Sequence, residues 1–414
     1  MLMKALVIGA GGVGRAIASV AARRSFLTSM VLADYSLPRA QSAAERVKDS
    51  RFTAAQVDAS DIDNIRELIR ATKPDIVINS VDPRFVMSIF TACEEEGVNY
   101  LDMAMSLTKP HPTDPFNKPG IKFGDGQYAR AKQWEAKGIY ALLGMGIEPG
   151  LSDVFARYAV DELFSEIDSM TVMDGSNLTV AGYDFAPSFS IWTTIEECLN
   201  PPLMWDVDRG GWYTTQPFSG AITFDFPEGI GPVECVNVEH EEVVLIPKYV
   251  KTKRAAFKFG LGDAFISVLQ TIHTLGLDKT EPVAVPGHPG STVSPRDFLA
   301  SMLPDPATLG AVMTGKTCAG LLVEGLDKTG APKAVYLYHV VDNAWTMSEY
   351  GDQAVVWQTA INPVIAMELI HEGVWQPQGV NGPEFNLAKP FLEKLVEYGS
   401  PWGIRDEPVS KINS

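Results

Sequence analysis

The chain has 414 residues, which at roughly 150 residues per domain holds two or three domains and a large core. Apolar residues make up 46% and charged residues 21%, ordinary globular usage that argues against wholesale disorder. The formal net charge is −17, from 34 Lys and Arg against 51 Asp and Glu, a field that repels a phosphate backbone and argues against a nucleic-acid partner.

The first predicted strand is the apolar run Met3-Lys4-Ala5-Leu6-Val7-Ile8, which leads into Gly9-Ala10-Gly11-Gly12-Val13-Gly14 and then residues 15–22, rich in helix formers. A G-x-G-x-x-G between a strand and a helix is a dinucleotide-binding pattern. Gly9 permits the tight turn, Gly11 lets backbone N–H groups approach a pyrophosphate, and Gly14 lets the helix pack close to its strand. The helix N-terminus adds unpaired donors and partial positive charge, and Ala10, Gly12 and Val13 complete the cradle. A second strand, 30–33, ends in Asp34, twenty residues beyond Gly14. A carboxylate there accepts hydrogen bonds from the adenosine ribose and repels a 2′-phosphate. NAD is therefore the expected cofactor, with NADP left open by the nearby Arg39.

A third strand, 52–57, ends at Asp58-Ala59, and the next helix carries Ile62, Ile65, Leu68 and Ile69 at helical spacing. Ile76-Val77-Ile78 is the core of a buried parallel strand, followed by Asn79-Ser80 and a break at Val81-Asp82-Pro83. A helix over 84–97 precedes a strand at 98–101 and then Asp102. Strands and helices alternating in this way predict an α/β doubly wound parallel sheet of Rossmann type, with ligands beyond the carboxyl ends of the strands. Asp58 and Ala59 are expected near the adenine, Asn79, Ser80 and Asp82 along the dinucleotide, and Asp102 near the reacting end. Each polar residue among them has the alternative of a loop cap or turn former.

The proline-dense residues 109–115 must be irregular. A sixth apolar strand at 139–143 runs into Gly144-Met145-Gly146-Ile147-Glu148-Pro149-Gly150, and a helix capped by Ser152 or Asp153 follows. Its N-terminus either receives a substrate carboxylate at Ser152 or is ordinarily capped. Short strands then follow at 170–173, 220–224, 233–238, 242–246, 320–324 and 334–338, implying a mixed or antiparallel sheet in an inserted α+β domain. Helices over 354–371 and 390–398 close the chain. The expected division is a dinucleotide-binding domain at 1–150, a substrate-binding and dimerisation domain at 151–350, and C-terminal helices at 351–414 that pack back on the first. Hinges for domain closure are expected near 110–115 and 350–355.

Against the acidic background, Lys248, Lys251, Lys253, Arg254 and Lys258 form a stretch with no acid, which is either a solvated loop or a holder for an anionic ligand. His240 lies in Glu239-His240-Glu241-Glu242, where carboxylates favour its cationic form. No second histidine at helical spacing accompanies it, so no metal is expected. There is no G-x-S-x-G, and the four cysteines (Cys93, Cys198, Cys235, Cys318) include no CxxC pair. No run of about 18 apolar residues or leader pattern appears, so no membrane partner is expected and the cytoplasm is the expected location.

With these residues in view the chain resembles the saccharopine dehydrogenase family, in its glutamate-forming, reductase-like branch, over most of its length. The resemblance is carried by Tyr100-Leu101-Asp102, by the Gly144 to Gly150 turn with Glu148 where the family carries Asp, and by Phe259-Gly260 through Leu275-Gly276-Leu277. Gln358 to Pro363 and Gly379-Val380-Asn381-Gly382-Pro383-Glu384 carry it at the end of the chain. It implies an NAD(P)-dependent enzyme that oxidises the CH–NH bond of a secondary amine joining two amino-acid-like halves, or forms that bond in reverse. The family includes enzymes of lysine, polyamine and related amine metabolism, so an amino-acid or polyamine-type small molecule is the implied partner, and a homodimer the implied assembly. Asp102 is the first candidate for the base that manages protons, His240 the second and Tyr183 a remote third. Lys253, Arg254 and Lys258 are the candidate carboxylate holders, and Trp192 a candidate wall for the methylene chain. A deaminating lysine 6-dehydrogenase type and a non-catalytic NAD-binding sensor are the alternatives.

Overall fold

Two sheets organise the chain in a computed structural model that describes residues 2–409. The first contains β1 (Met3–Ile8), β2 (Leu27–Asp34), β3 (Phe52–Gln56), β4 (Ile76–Asn79), β5 (Asn99–Asp102) and β6 (Tyr140–Leu142), with α1 (Gly12–Ala21), α2 (Leu37–Val47), α3 (Ile62–Thr72) and α4 (Val86–Glu96) between the early strands. Its strands are all parallel, in the order β3-β2-β1-β4-β5-β6, and a seventh strand, Gly379–Asn381, adds beside β6. Leu6, Val7, Ile8 and Ile76 to Ile78 are fully buried, as strands covered on both faces require. The order reverses direction between β1 and β4, the switch point where such sheets bind ligands. Residues 379–381, not read as a strand in the sequence, are too few to carry a strand period, and tertiary pairing alone makes them one.

The second sheet is mixed and nine-stranded. At its centre β7 (Phe164–Ser176) runs parallel to β8 (Arg254–Phe259) and antiparallel to β9 (Lys316–Asp327), which pairs in turn with β10 (Pro332–Asp342). The helices that position the site are α5 (Leu151–Tyr158), α6 (Ile191–Leu199), α7 (Glu242–Tyr249), α8 (Asp263–Thr274), α9 (Pro295–Met302) and α10 (Ala354–His371). Residues 242–246, expected as a strand, start α7 instead. All five are buried and the helix packs on β8 and α5, and a continuous apolar run suits a helix buried all round as well as a strand.

Helix α10 is buried along nearly its whole length and packs on α1. Beside it the fully buried Asp352 accepts from both Arg15 and Arg46 at 2.9 Å, and Arg24 holds Glu368 through two nitrogens. Among the described residues no helix is long and apolar enough to cross a membrane.

Candidate active site

The glycine loop has the shape a pyrophosphate needs. Gly9 has φ +105°, and a Cβ on Gly14 would stand 1.9 Å from the Gly9 carbonyl oxygen, so both positions admit only glycine. A Cβ on Gly11 would meet nothing within 4 Å, and no side chain caps α1, leaving its first N–H groups for an anion. At the end of β2, Asp34 accepts from the Ala10 N–H at 3.0 Å and the Ser36 N–H at 2.9 Å, with Arg39 Nη1 3.6 Å away. The Ser80 hydroxyl donates to the Gly9 carbonyl, and Asn79 donates to Tyr100 Oη. Asp58 is exposed at the end of β3, where it accepts from the backbone and hydroxyl of Ser60, and the Ala59 carbonyl accepts from Ser88.

A cavity of about 470 Å³ runs from this loop to the face of the second sheet. Gly12, Val13, Asn79, Ser80 and Asp82 line the dinucleotide side, whereas Asp58 and Ala59 do not reach it. On the opposite side the sheet presents alternate residues of three strands, Asp174 and Ser176 of β7, Phe257 and Phe259 of β8, and Thr317 and Ala319 of β9. Six acids line the cavity (Asp82, Glu148, Asp174, Glu197, Glu241 and Asp305), and among the described residues no Lys or Arg does.

The centre of this acidic wall is His240. Its ring lies 3.9 Å from that of Phe257 and nearly parallel to it. Nδ1 is 2.6 Å from Glu242 Oε2 and 3.4 Å from Glu241 Oε2, and Nε2 is 4.0 Å from Glu197 Oε1. Burial disfavours the imidazolium, but Glu242, Glu197 and Glu241 together outweigh it and push His240 up to about 10. The three carboxylates thus favour the cationic form of His240, as its acidic neighbours in the sequence lead one to expect. Burial, offset in part by His240, holds Glu241 at about 7 and Glu197 at about 8. Glu148 is raised by burial and by the charges of Asp174 and Glu242, and accepts from the Ser152 hydroxyl. Glu197, His240 and Glu241 bring one ligand atom each within 4.8 Å of the others, a spacing suited to a cation, metallic or organic.

Several expected site residues stand elsewhere. Asp102 is fully buried, accepts from the Gly144 N–H at 2.6 Å and Gln127 Nε2 at 2.8 Å, and does not line the cavity, although Met103 and Ala104 beside it do. Burial raises it to about 7, and its place is to pin the β5 end to the Gly144 turn. Ser152 is buried against Glu148, and Asp153, not Ser152, reaches back to the Gly150 N–H at 2.8 Å. Trp192 is no cavity wall: it donates to Asp297 and lies between the guanidinium groups of Arg84, 4.4 Å from the ring, and Arg296, 4.7 Å. Tyr183 is exposed.

The cation stretch is turned away by the strand's own alternation. Because Phe257 and Phe259 face the cavity, Arg254 and Lys258 at even offsets from each other face the other side of the sheet. Lys258 donates to Asn237 and to the Gly220 carbonyl, and Lys253 pairs with Glu166 and Asp168 at 2.7 Å. Asp174 and Glu197 were not singled out in the sequence, yet each left a trace. Asp174 interrupts the apolar run Met170 to Met173, and Glu197 shares one helical face with Thr193 and Thr194, which also line the cavity.

Comparison with known proteins agrees with this architecture. The family model described as saccharopine dehydrogenase NADP binding domain matches residues 5–142, and that described as saccharopine dehydrogenase C-terminal domain matches 146–400. A carboxynorspermidine synthase from Vibrio alginolyticus is 32% identical over 422 residues, covering 99% of this chain and 99% of its own. A carboxyaminopropylagmatine dehydrogenase from Synechocystis is 29% identical over 404 residues, covering 97% of each. The apo saccharopine dehydrogenase (L-Glu forming) from Saccharomyces cerevisiae shares the fold, with a TM-score of 0.68 at 13% identity over 98% of this chain and 100% of its own. With both family models in register along the two sheets, the chain belongs to the saccharopine dehydrogenase family of NAD(P)-dependent oxidoreductases.

Proposed function

We propose that the protein oxidises, or in reverse forms, the CH–NH bond of a secondary amine whose amine half is a cationic, polyamine-type chain. The observation that carries this reading is the cavity wall, with six acids, one histidine and no Lys or Arg beside the glycine loop. Such a wall attracts ammonium groups and repels a substrate bearing several carboxylates, which disfavours saccharopine itself. Phe257, Phe259, Leu261 and Phe265 add apolar surface for methylene groups, which a metal ion would not use. The curated relatives named above act, by their names, on a carboxynorspermidine and a carboxyaminopropylagmatine, both amine chains.

The glycine loop and the free start of α1 would hold the dinucleotide, which supplies the hydride acceptor or donor when bound. NAD is favoured by Asp34 at the end of β2, and Arg39 beside it is the group that would serve a 2′-phosphate. In the oxidising direction the substrate nitrogen loses a proton as the adjacent carbon loses hydride, giving a C=N bond. Water then adds to that carbon and the adduct breaks into an amine and a carbonyl compound. Glu241 and Glu197, held near neutrality at about 7 and about 8, are suited to take and return these protons. His240, held toward its cationic form by Glu242, favours the ionised form of both acids against the effect of burial.

The test is a panel of saccharopine, carboxynorspermidine and lysine with NAD⁺ and NADP⁺, followed by reduced-nicotinamide absorbance. Carboxynorspermidine is expected to give a kcat/KM at least about tenfold above the other two. Preference for saccharopine would overturn the amine-chain reading, and binding without turnover on all three would favour a sensor.

A further inference from the structure

The far part of the cavity floor carries an acid for which the proton handling above has no use. Asp174 stands on β7 directly opposite Phe259 of β8, as Val172 stands opposite Phe257. Parallel neighbours in register project to one face, so Asp174, Phe257 and Phe259 form one surface, and all three line the cavity. The two rings meet edge to face at 6.3 Å. His240 is stacked on Phe257 at one end of this aromatic floor, and Asp174 sits beside Phe259 at the other.

One Asp174 oxygen accepts from the Gly320 N–H at 3.3 Å, and the other has no hydrogen-bond partner among the described residues. At the His240 end Glu241 is only 2% exposed, yet its Oε2 is likewise without a hydrogen-bond partner. A half-buried carboxylate with one oxygen unpartnered beside aromatic faces suits an alkylammonium group, which donates hydrogen bonds to the acid and makes a cation–π contact with the rings. Two residues along a strand span roughly 6.6 Å, so the Phe257 and Phe259 rings together offer a surface about as long as a short diamine arm.

We propose that Asp174, with the Phe257 and Phe259 rings, receives a terminal ammonium group on the amine half of the substrate, while the reacting nitrogen lies at the His240 end of the same floor. This rests on the amine reading above and adds the residue that selects a diamine-derived arm over a neutral one. Burial and the nearby Glu242 hold the Asp174 carboxyl well above its ordinary range, with His240 opposing them. An arriving ammonium takes the place of that proton.

The experiment compares norspermidine with dipropylamine, which has the same central nitrogen and carbon arms and no terminal ammonium groups. Binding to the full chain with NADH present is measured by calorimetry at about 0.15 M salt, where long-range attraction to the acidic protein is screened. Norspermidine should bind at least roughly tenfold tighter than dipropylamine. Asp174→Asn, which keeps the Gly320 acceptor, should abolish that ratio while leaving dipropylamine and NADH affinities unchanged. Phe259→Leu should reduce the same ratio, which provides a second measurement if the first variant folds poorly. If both amines bind and neither variant changes the ratio, the ammonium subsite is wrong while the amine reading stands. If NADH binds and neither amine does, the amine reading falls and the subsite with it.

Discussion

At the scale of single residues, the site depends on how one imidazole is surrounded. Glu242 is its nearest anion at 2.6 Å, and His240 in turn holds Glu242 below the ordinary carboxylate range against the effect of burial. Replacing Glu242 with Gln removes the larger attraction and leaves burial to act, so His240 should titrate well below its present value of about 10. The alkaline limb of the kcat/KM profile should then move down by at least about one pH unit, and imidazole resonances followed by NMR should titrate in the same range. An unshifted profile together with an unshifted resonance would remove Glu242 from this role. The sequence made His240 and its acidic neighbours visible because they are contiguous. It could not show that Glu197 from α6, Glu148 from the Gly144 turn and Asp174 from β7 converge on them, since that meeting is made only by packing. Asp102 shows the converse, where a position at a strand end suggested chemistry and the hydrogen bonds to Gly144 and Gln127 reveal a structural pin.

At the scale of elements, the glycine loop, the six early strands and the helices between them were legible because each carries its own period and its own breaker. The helix at 242–249 was not, because Val243 to Ile246 satisfies both a buried strand and a buried helix. The cations of β8 were visible as a stretch without acid, read as a loop or an anion holder, and the strand's alternation divides the same residues into an aromatic face and a basic face. That division has a direct consequence for activity. The double variant Arg254→Gln and Lys258→Gln should leave KM for the amine within about twofold, since neither side chain enters the cavity, and cost stability only at the level of a surface or half-buried contact. A large rise in KM without a loss in melting temperature would show that these cations do meet the substrate.

At the scale of the whole molecule, the acids gathered between the two sheets set how stability varies with pH. Burial raises Glu197 and Glu239 to about 8, and Glu241, Glu384 and Asp102 to about 7. The folded chain keeps these protons at pH values where the unfolded chain has released them, so stability falls as pH rises from the ordinary carboxylate range through about 8. His240 acts in the same direction, its contribution complete below 6.5 and lost as pH rises through about 10. Glu242, held low, contributes the opposite slope only at acid pH. The melting temperature should therefore be highest in mildly acidic buffer and several degrees lower near pH 9, a trend that scanning calorimetry would check. A melting temperature that rises over the same interval would mean that the buried acids are hydrated and ionised.

The two-faced strand β8 also bears on how such a protein changes over generations. One inserted codon near its start would shift the register by a residue and rotate every side chain to the opposite surface. Arg254 and Lys258 would then be turned toward the cavity in place of Phe257 and Phe259, setting cations among its six acids without altering what the gene encodes elsewhere. The aromatic floor of the pocket is thus inherited through alignment of the strand as much as through its amino-acid content, while the acids that other elements contribute would stay where they are.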